Sequence, residues 1–82
     1  MRVRVLYFAA MRDLAGRAED ELELPPGIST VAGFADHLAQ SLPGFAERRG
    51  HVRIARNERF ADAAEGLADG DVLALIPPVA GG

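Results

Sequence analysis

Hydrophobic and polar positions follow two different periods along this chain, and the switch between them marks out its elements. Residues 2–9 alternate with period two and mix β-branched and aromatic residues, which predicts a strand. Val3, Val5 and Tyr7 share one face of it, and Arg2, Arg4, Leu6 and Phe8 share the other. Residues 10–15 read as a short helical or turn segment ended by Gly16, where a glycine takes a left-handed cap. Residues 19–24 alternate again, with Leu22 and Leu24 inward and Glu21 and Glu23 toward water, as in a half-buried strand. Two strands flanking a short link predict an antiparallel pair. Pro25-Pro26-Gly27-Ile28 then makes a turn: Pro26 fixes φ, and Gly27 tolerates the positive φ that a type II turn requires. Ser29 or Thr30 caps the next helix. In it Val31, Phe34, Ala35, Leu38 and Leu42 recur at steps of three and four and form one apolar stripe. Pro43-Gly44 stops that helix, and residues 45–49 form one further turn.

The second half returns to strand-like periods. Residues 52–56 alternate, Asn57-Glu58 marks a turn, and Phe60 begins a short irregular stretch. Asp69-Gly70-Asp71 is another turn, and residues 72–76 form a compact apolar strand ended by Pro77-Pro78. The order is strand, strand, helix, then two or three strands. One helix covers only one face of a sheet, and this helix links the first hairpin to the later strands. The expected fold is therefore α+β: a mixed four- to five-stranded sheet packed on one main helix, the β-grasp or ubiquitin-like roll. Residues 1–76 form the domain, and residues 77–82 are expected to be a flexible C-terminal di-glycine tail. The other sheet face should be polar unless a partner covers it.

Composition narrows the function. The 82 residues suffice for one small domain, and 49% apolar content suits a packed core. With no cysteine there is no disulfide, thiolate metal site or catalytic thiol, and a cytoplasmic location is compatible. No stretch approaches the roughly 20 apolar residues of a membrane span. The apolar run at the start is too short for a signal peptide and leads into Arg12 and Asp13, so no membrane role is expected. The net charge of −3 argues against nucleic acid as a partner. All nine basic residues are arginine, so the chain cannot be joined to its own kind through a lysine side chain.

Most of the chain offers little chemistry. His37 and His51 lack metal-ligand spacing and read as surface or boundary histidines. Asp69-Gly70-Asp71 lacks the remaining ligands of a calcium loop. Glu19-Asp20-Glu21 reads as a solvated strand edge, and Arg48-Arg49 as a cationic helix end. No metal and no bound cofactor are expected. The final six residues, Pro77-Pro78-Val79-Ala80-Gly81-Gly82, are different. A frayed terminus is one reading of them. Placed after a β-grasp pattern, they also describe a delivery arm. A terminal carboxylate is a poor electrophile until activated, and Gly81 and Gly82 make the thinnest tail for threading into an activating site. Pro77 and Pro78 stiffen its base and hold it off the domain, and residues 79–82 reach at most about 13–14 Å.

At this point the chain resembles the MoaD-type family of sulfur carriers, the small subunits of molybdopterin synthase. The matching stretches are Val5-Leu6-Tyr7-Phe8-Ala9-Ala10-Met11-Arg12-Asp13-Leu14-Ala15-Gly16 and the stretch over residues 67–82, whose Pro-Pro-Val-Ala-Gly-Gly ending is the most specific motif. The element order agrees over the whole length. The resemblance implies that an adenylating enzyme of the ubiquitin-activating type uses ATP to adenylate the Gly82 carboxylate. Sulfur then replaces the adenylate to give a thiocarboxylate. The tail, Pro77 to Gly82, inserts into the large subunit of molybdopterin synthase, where its sulfur passes to cyclic pyranopterin monophosphate in molybdenum cofactor biosynthesis. The catalytic side chains belong to the large subunit, so the chain is a carrier rather than an enzyme by itself.

The resemblance also implies that Phe8, Phe60 and Ile76 bind the partner from the open sheet face. Strand parity agrees for Phe8 and Ile76; the alternative is that all three finish the core. Arg56 stands where many relatives carry an apolar residue, and residues 59–66 match poorly. Rival functions are a carrier for thiamin thiazole synthesis, a ubiquitin-like protein modifier, and a non-covalent β-grasp interaction module.

Overall fold

The computed structural model describes residues 1–78; Val79, Ala80, Gly81 and Gly82 lie outside the described residues. In chain order the elements are β1 (Arg2–Tyr7), α1 (Ala10–Ala15), β2 (Glu19–Glu23), α2 (Val31–Ser41), α3 (Phe45–Arg48), a 3₁₀ turn (Arg49–His51), β3 (Arg53–Arg56), β4 (Arg59–Phe60) and β5 (Val72–Ile76). The strands form one mixed sheet in the order β2-β1-β5-β3-β4. β1 and β2 form the expected antiparallel hairpin, while β1 runs parallel to β5 at its centre. That parallel pairing needs a long crossover, which α2 and the segments around it supply.

Alternation builds the core. Val3, Val5 and Tyr7 of β1 lie beside Leu73 and Leu75 of β5, all essentially buried. α2 lays Phe34 and Leu38 on them, and Phe45 of α3 completes the layer. Burying each such side chain contributes about 1.5–3 kcal/mol. Thr30, rather than Ser29, caps α2, its Oγ1 accepting the Gly33 N–H at 3.1 Å. The Pro25–Ile28 turn closes with the Ile28 N–H donating to the Pro25 carbonyl at 3.3 Å, and Gly27 holds φ 95°.

Four details differ from the sequence expectation. β1 ends at Tyr7 because Ala9 turns the backbone through φ 47°, which starts α1. Asp20 is not wholly solvated: it pairs with Val5 on the inner side and accepts a 2.8 Å hydrogen bond from Arg17 Nε. Phe60 does not begin an irregular stretch but belongs to β4, which pairs antiparallel with β3 across the Asn57-Glu58 turn. Both turn residues have positive φ, 50° and 70°, the handedness a two-residue hairpin loop demands. Pro77 is half-buried and only Pro78 is exposed, so the segment after β5 starts against the body rather than clear of it. Among the described residues no helix is long and apolar enough to cross a membrane.

Candidate functional site

α2 and α3 cover one sheet face; the other is open and divides into two halves. On the β2 side, Glu19, Glu21 and Glu23 stand opposite Leu6, Arg4 and Arg2. Arg4 forks between Glu19 at 2.8 Å and Glu21 at 2.9 Å, and the Met1 ammonium sits 3.1 Å from Glu23. Across the sheet apolar side chains take over, with Glu58 and Arg53 at the margin. Leu6 and Phe8 from β1 and the turn after it, Val72, Ala74 and Ile76 from β5, and Ala55 with Phe60 from the β3–β4 hairpin share one shallow groove. The parallel register sets Leu6 beside Ala74, and the antiparallel one sets Ala55 between Ala74 and Phe60.

The structure thus brings Phe8, Phe60 and Ile76 together on one surface. Phe8 is 42% exposed and Phe60 55%, so neither finishes the core. Ile76 is half-buried, one position beyond Leu75 and on the opposite face. Arg53 stacks on the Phe60 ring, its guanidinium carbon 3.5 Å from the ring centroid, a cation–π contact that holds the ring at the groove's rim. β5, the strand that carries Ile76, runs directly into Pro77 and Pro78. Those prolines border a second groove with Met11, Arg48 and His51, at the same end of the sheet as Phe8. The remaining tail positions of the sequence reading, Val79, Ala80, Gly81 and Gly82, lie outside the described residues.

Sequence reasoning missed a polar cluster behind the hairpin. Arg56 Nε donates to Asp71 Oδ2 at 2.6 Å, and its Nη1 donates to Glu65 at 3.2 Å. Asn57 Nδ2 donates to Asp71 Oδ1 at 3.0 Å, and the Ala68 N–H donates to Asp71 Oδ2 at 2.7 Å. The Asn57 and Val72 segments also exchange two bonds, Asn57 N–H to the Val72 carbonyl at 2.8 Å and Val72 N–H to Asn57 Oδ1 at 2.9 Å. Asp71 is the buried charged residue among those described, at 5% exposure. Burial pushes its pKa up, but the bonds from Arg56, Ala68 and Asn57 outweigh that and hold it below the ordinary carboxylate value. The same contacts, Asp71 first and then Glu65, raise Arg56 further. A signal existed: Arg56 shares the inward parity of Ile54, and an inward arginine needs a counter-ion. Asp69-Gly70-Asp71 is a turn as expected, and its last carboxylate is that counter-ion.

The ThiS family profile matches residues 5–82. The molybdopterin synthase sulfur carrier subunit of Mycobacterium tuberculosis is 36% identical over 83 residues, covering 100% of this chain and 99% of that one. Among solved structures, a molybdopterin converting factor subunit 1 from Pyrococcus furiosus superposes with TM-score 0.84 at 37% identity, over 96% of this chain and 99% of that one. The small archaeal modifier protein 1 of Haloferax volcanii gives TM-score 0.78 at 30% identity, over 95% and 98%. Subunit 1 in the complex of subunits 1 and 2 of the Helicobacter pylori molybdopterin-converting factor gives 0.71 at 28%, over the full length of both. Matched from end to end in sequence and built on the same β-grasp sheet, the chain belongs to the ThiS family.

Proposed function

We propose that this chain is the sulfur carrier subunit of a molybdopterin synthase, with the Gly82 carboxylate as its working group. The observation that carries the reading is the apolar half of the open face. It carries the exposed Phe8 and Phe60 rings and is continuous with the strand that leads into the Pro-Pro-Val-Ala-Gly-Gly segment. A partner that covers this half also receives whatever follows Pro78. The full-length likeness to carrier subunits, and to a subunit 1 that forms a complex with subunit 2, supports the same reading. The large subunit of molybdopterin synthase is the partner proposed for Phe8, Phe60 and Ile76.

The chemistry proceeds in three balanced steps. A Gly82 carboxylate oxygen attacks the α-phosphorus of ATP on a ubiquitin-activating-type adenylating enzyme, and pyrophosphate leaves. Sulfide then attacks the acyl carbon, and AMP departs with the carboxylate oxygen, leaving a thiocarboxylate. In the large subunit that sulfur attacks a side-chain carbon of cyclic pyranopterin monophosphate and displaces an oxygen substituent; water then cleaves the resulting thioester, leaving the sulfur on the pterin and restoring the carboxylate. Two transfers complete a dithiolene. ATP belongs to the activating enzyme, and the carrier itself supplies a docking face and a slender acyl arm. A cytoplasmic site of action is proposed with it.

Incubation with the adenylating enzyme, ATP and a sulfur donor is expected to add about 16 Da at the C-terminus, one oxygen exchanged for sulfur. Removal of Gly82 abolishes the gain and leaves the circular dichroism spectrum unchanged. Normal pterin sulfuration by the truncated chain would overturn the proposal. The likeness to a small archaeal modifier protein favours one second reading, attachment of Gly82 to lysines of other proteins. Adducts in a lysate without any 16 Da species would select it. Thiazole formation, without binding to the large subunit on gel filtration, would select the thiamin pathway.

A further inference from the structure

We infer that Arg56 is a positioning residue, which through Asp71 sets the pose of Phe60 on the docking face; this rests on the function proposed above. β4 contains only two residues, Arg59 and Phe60, and lies at the sheet edge. A strand that short has too few ladder bonds to hold a large exposed ring in place. Its turn residues Asn57 and Glu58 both occupy left-handed backbone, at a cost of roughly 1 kcal/mol each when the residue is not glycine. Within the hairpin the Arg53 stack and the Ala61 N–H bond to the Ile54 carbonyl hold it in part, and contacts from outside the hairpin add to these.

The polar cluster does so from two sides. Asn57 is tied to Val72 at the start of β5 by a backbone bond and by the Val72 N–H donating to its side-chain Oδ1, and to the Asp71 carboxylate by a third bond. Arg56, the β3 residue paired with Arg59, bridges the same carboxylate to Glu65 in the loop that follows β4. Both ends of the β4 segment are therefore clamped to Asp71, itself fixed by the Ala68 N–H. Arg56, Asn57 and Glu65 border one polar hollow with Phe60 at its lip. The clamp and the apolar groove are back to back across the same short strand. A planar guanidinium suits this task, because one arm reaches each carboxylate and fixes the distance between them.

Two readouts test the inference. In the free protein, the ring current of Phe60 shifts the side-chain resonances of Arg53, which lies over it. The methyl resonances of Val5, Leu73 and Leu75 report the core independently. Arg56→Met is expected to move the Arg53 resonances toward unstacked values, leave the core methyls in place, and weaken affinity for the large subunit about three- to ten-fold. Arg56→Lys, which keeps the charge but not the fork, recovers part of both. Unchanged Arg53 resonances, or unchanged affinity in a variant whose stack is lost, overturns the inference. Should Arg56→Met disturb the core, Glu65→Gln removes only the outer arm and is judged by the same two readouts. Phe60→Ala is measured alongside. If it leaves binding intact, the docking reading has failed, and the Arg53 resonances still decide whether the clamp poses the ring.

Discussion

On the β2 side of the open sheet face, Arg2, Arg4, Glu19, Glu21 and Glu23 are all engaged in ion pairs. On the β4 side, Phe8 and Phe60 stand in water over a groove of small and aliphatic residues. Both halves come from the same two-residue alternation on strands of one sheet. The charged half is complete as it stands. Its exposed pairs contribute only about 0–1 kcal/mol each, and their larger effect is to discourage foreign strands from pairing with the β2 edge. The apolar half is incomplete. Each uncovered aromatic forgoes much of the roughly 1.5–3 kcal/mol that full burial returns, and a partner that covers the half recovers it. In the proposed complex, association free energy is stored on one side of the face and specificity against the wrong neighbours on the other.

The strongest way to break this comparison is to make the apolar half resemble the charged one. Phe8→Asp is expected to weaken binding to the large subunit by about 100-fold or more, read by isothermal titration, because an unpaired carboxylate would be desolvated in the contact. Its thermal midpoint should change little, since Phe8 lies outside the core. A binding loss below a few-fold would show that the two halves do not differ in function.

Next in size is the support behind the apolar half. Asp71→Asn is expected to lower unfolding stability by about 1–3 kcal/mol at pH 7, measured by urea denaturation. The folded-state pKa of Asp71 lies below its unfolded value. Its stabilisation is therefore full above the unfolded value and is lost as pH falls through the folded one. The gap between the native chain and Asp71→Asn should close below about pH 4. A gap that stays constant down to pH 2 would contradict this. A smaller gain is expected from Glu58→Gly, about 0.5–1 kcal/mol of added stability, because glycine occupies φ 70° without strain and Asn-Gly suits this turn. The smallest effect belongs to the charged half. Arg4→Gln should cost no more than about 0.5 kcal/mol, shrink further in high salt, and leave affinity for the large subunit within two-fold.

Much of this was legible in the residues. The period-two and period-3.6 patterns located β1, β2, α2 and β5 to within two residues, and Gly16, Gly27 and Thr30 marked their boundaries for stereochemical reasons that hold in any fold. The family resemblance put Phe8 and Ile76 on the open face, strand parity agreed, and both line its groove. Phe60 was harder. A two-residue strand has no period to detect, and its turn is Asn-Glu rather than the more telling Asn-Gly. The Arg56–Asp71 pair was hidden by a sequence separation of 15, which local patterns do not span.

Local chemistry written in the chain therefore decided which face each strand residue would take, where the main helix begins and ends, and that six distinctive residues follow β5. These depend on neighbours a few positions away, through backbone sterics and side-chain period. Only the tertiary structure decided that β1 and β5 lie side by side, that Phe8, Phe60 and Ile76 meet, and that Asp71 holds the β3–β4 hairpin from behind. Those outcomes depend on closing long loops around a shared core. Their free energy belongs to the packed whole rather than to any one segment.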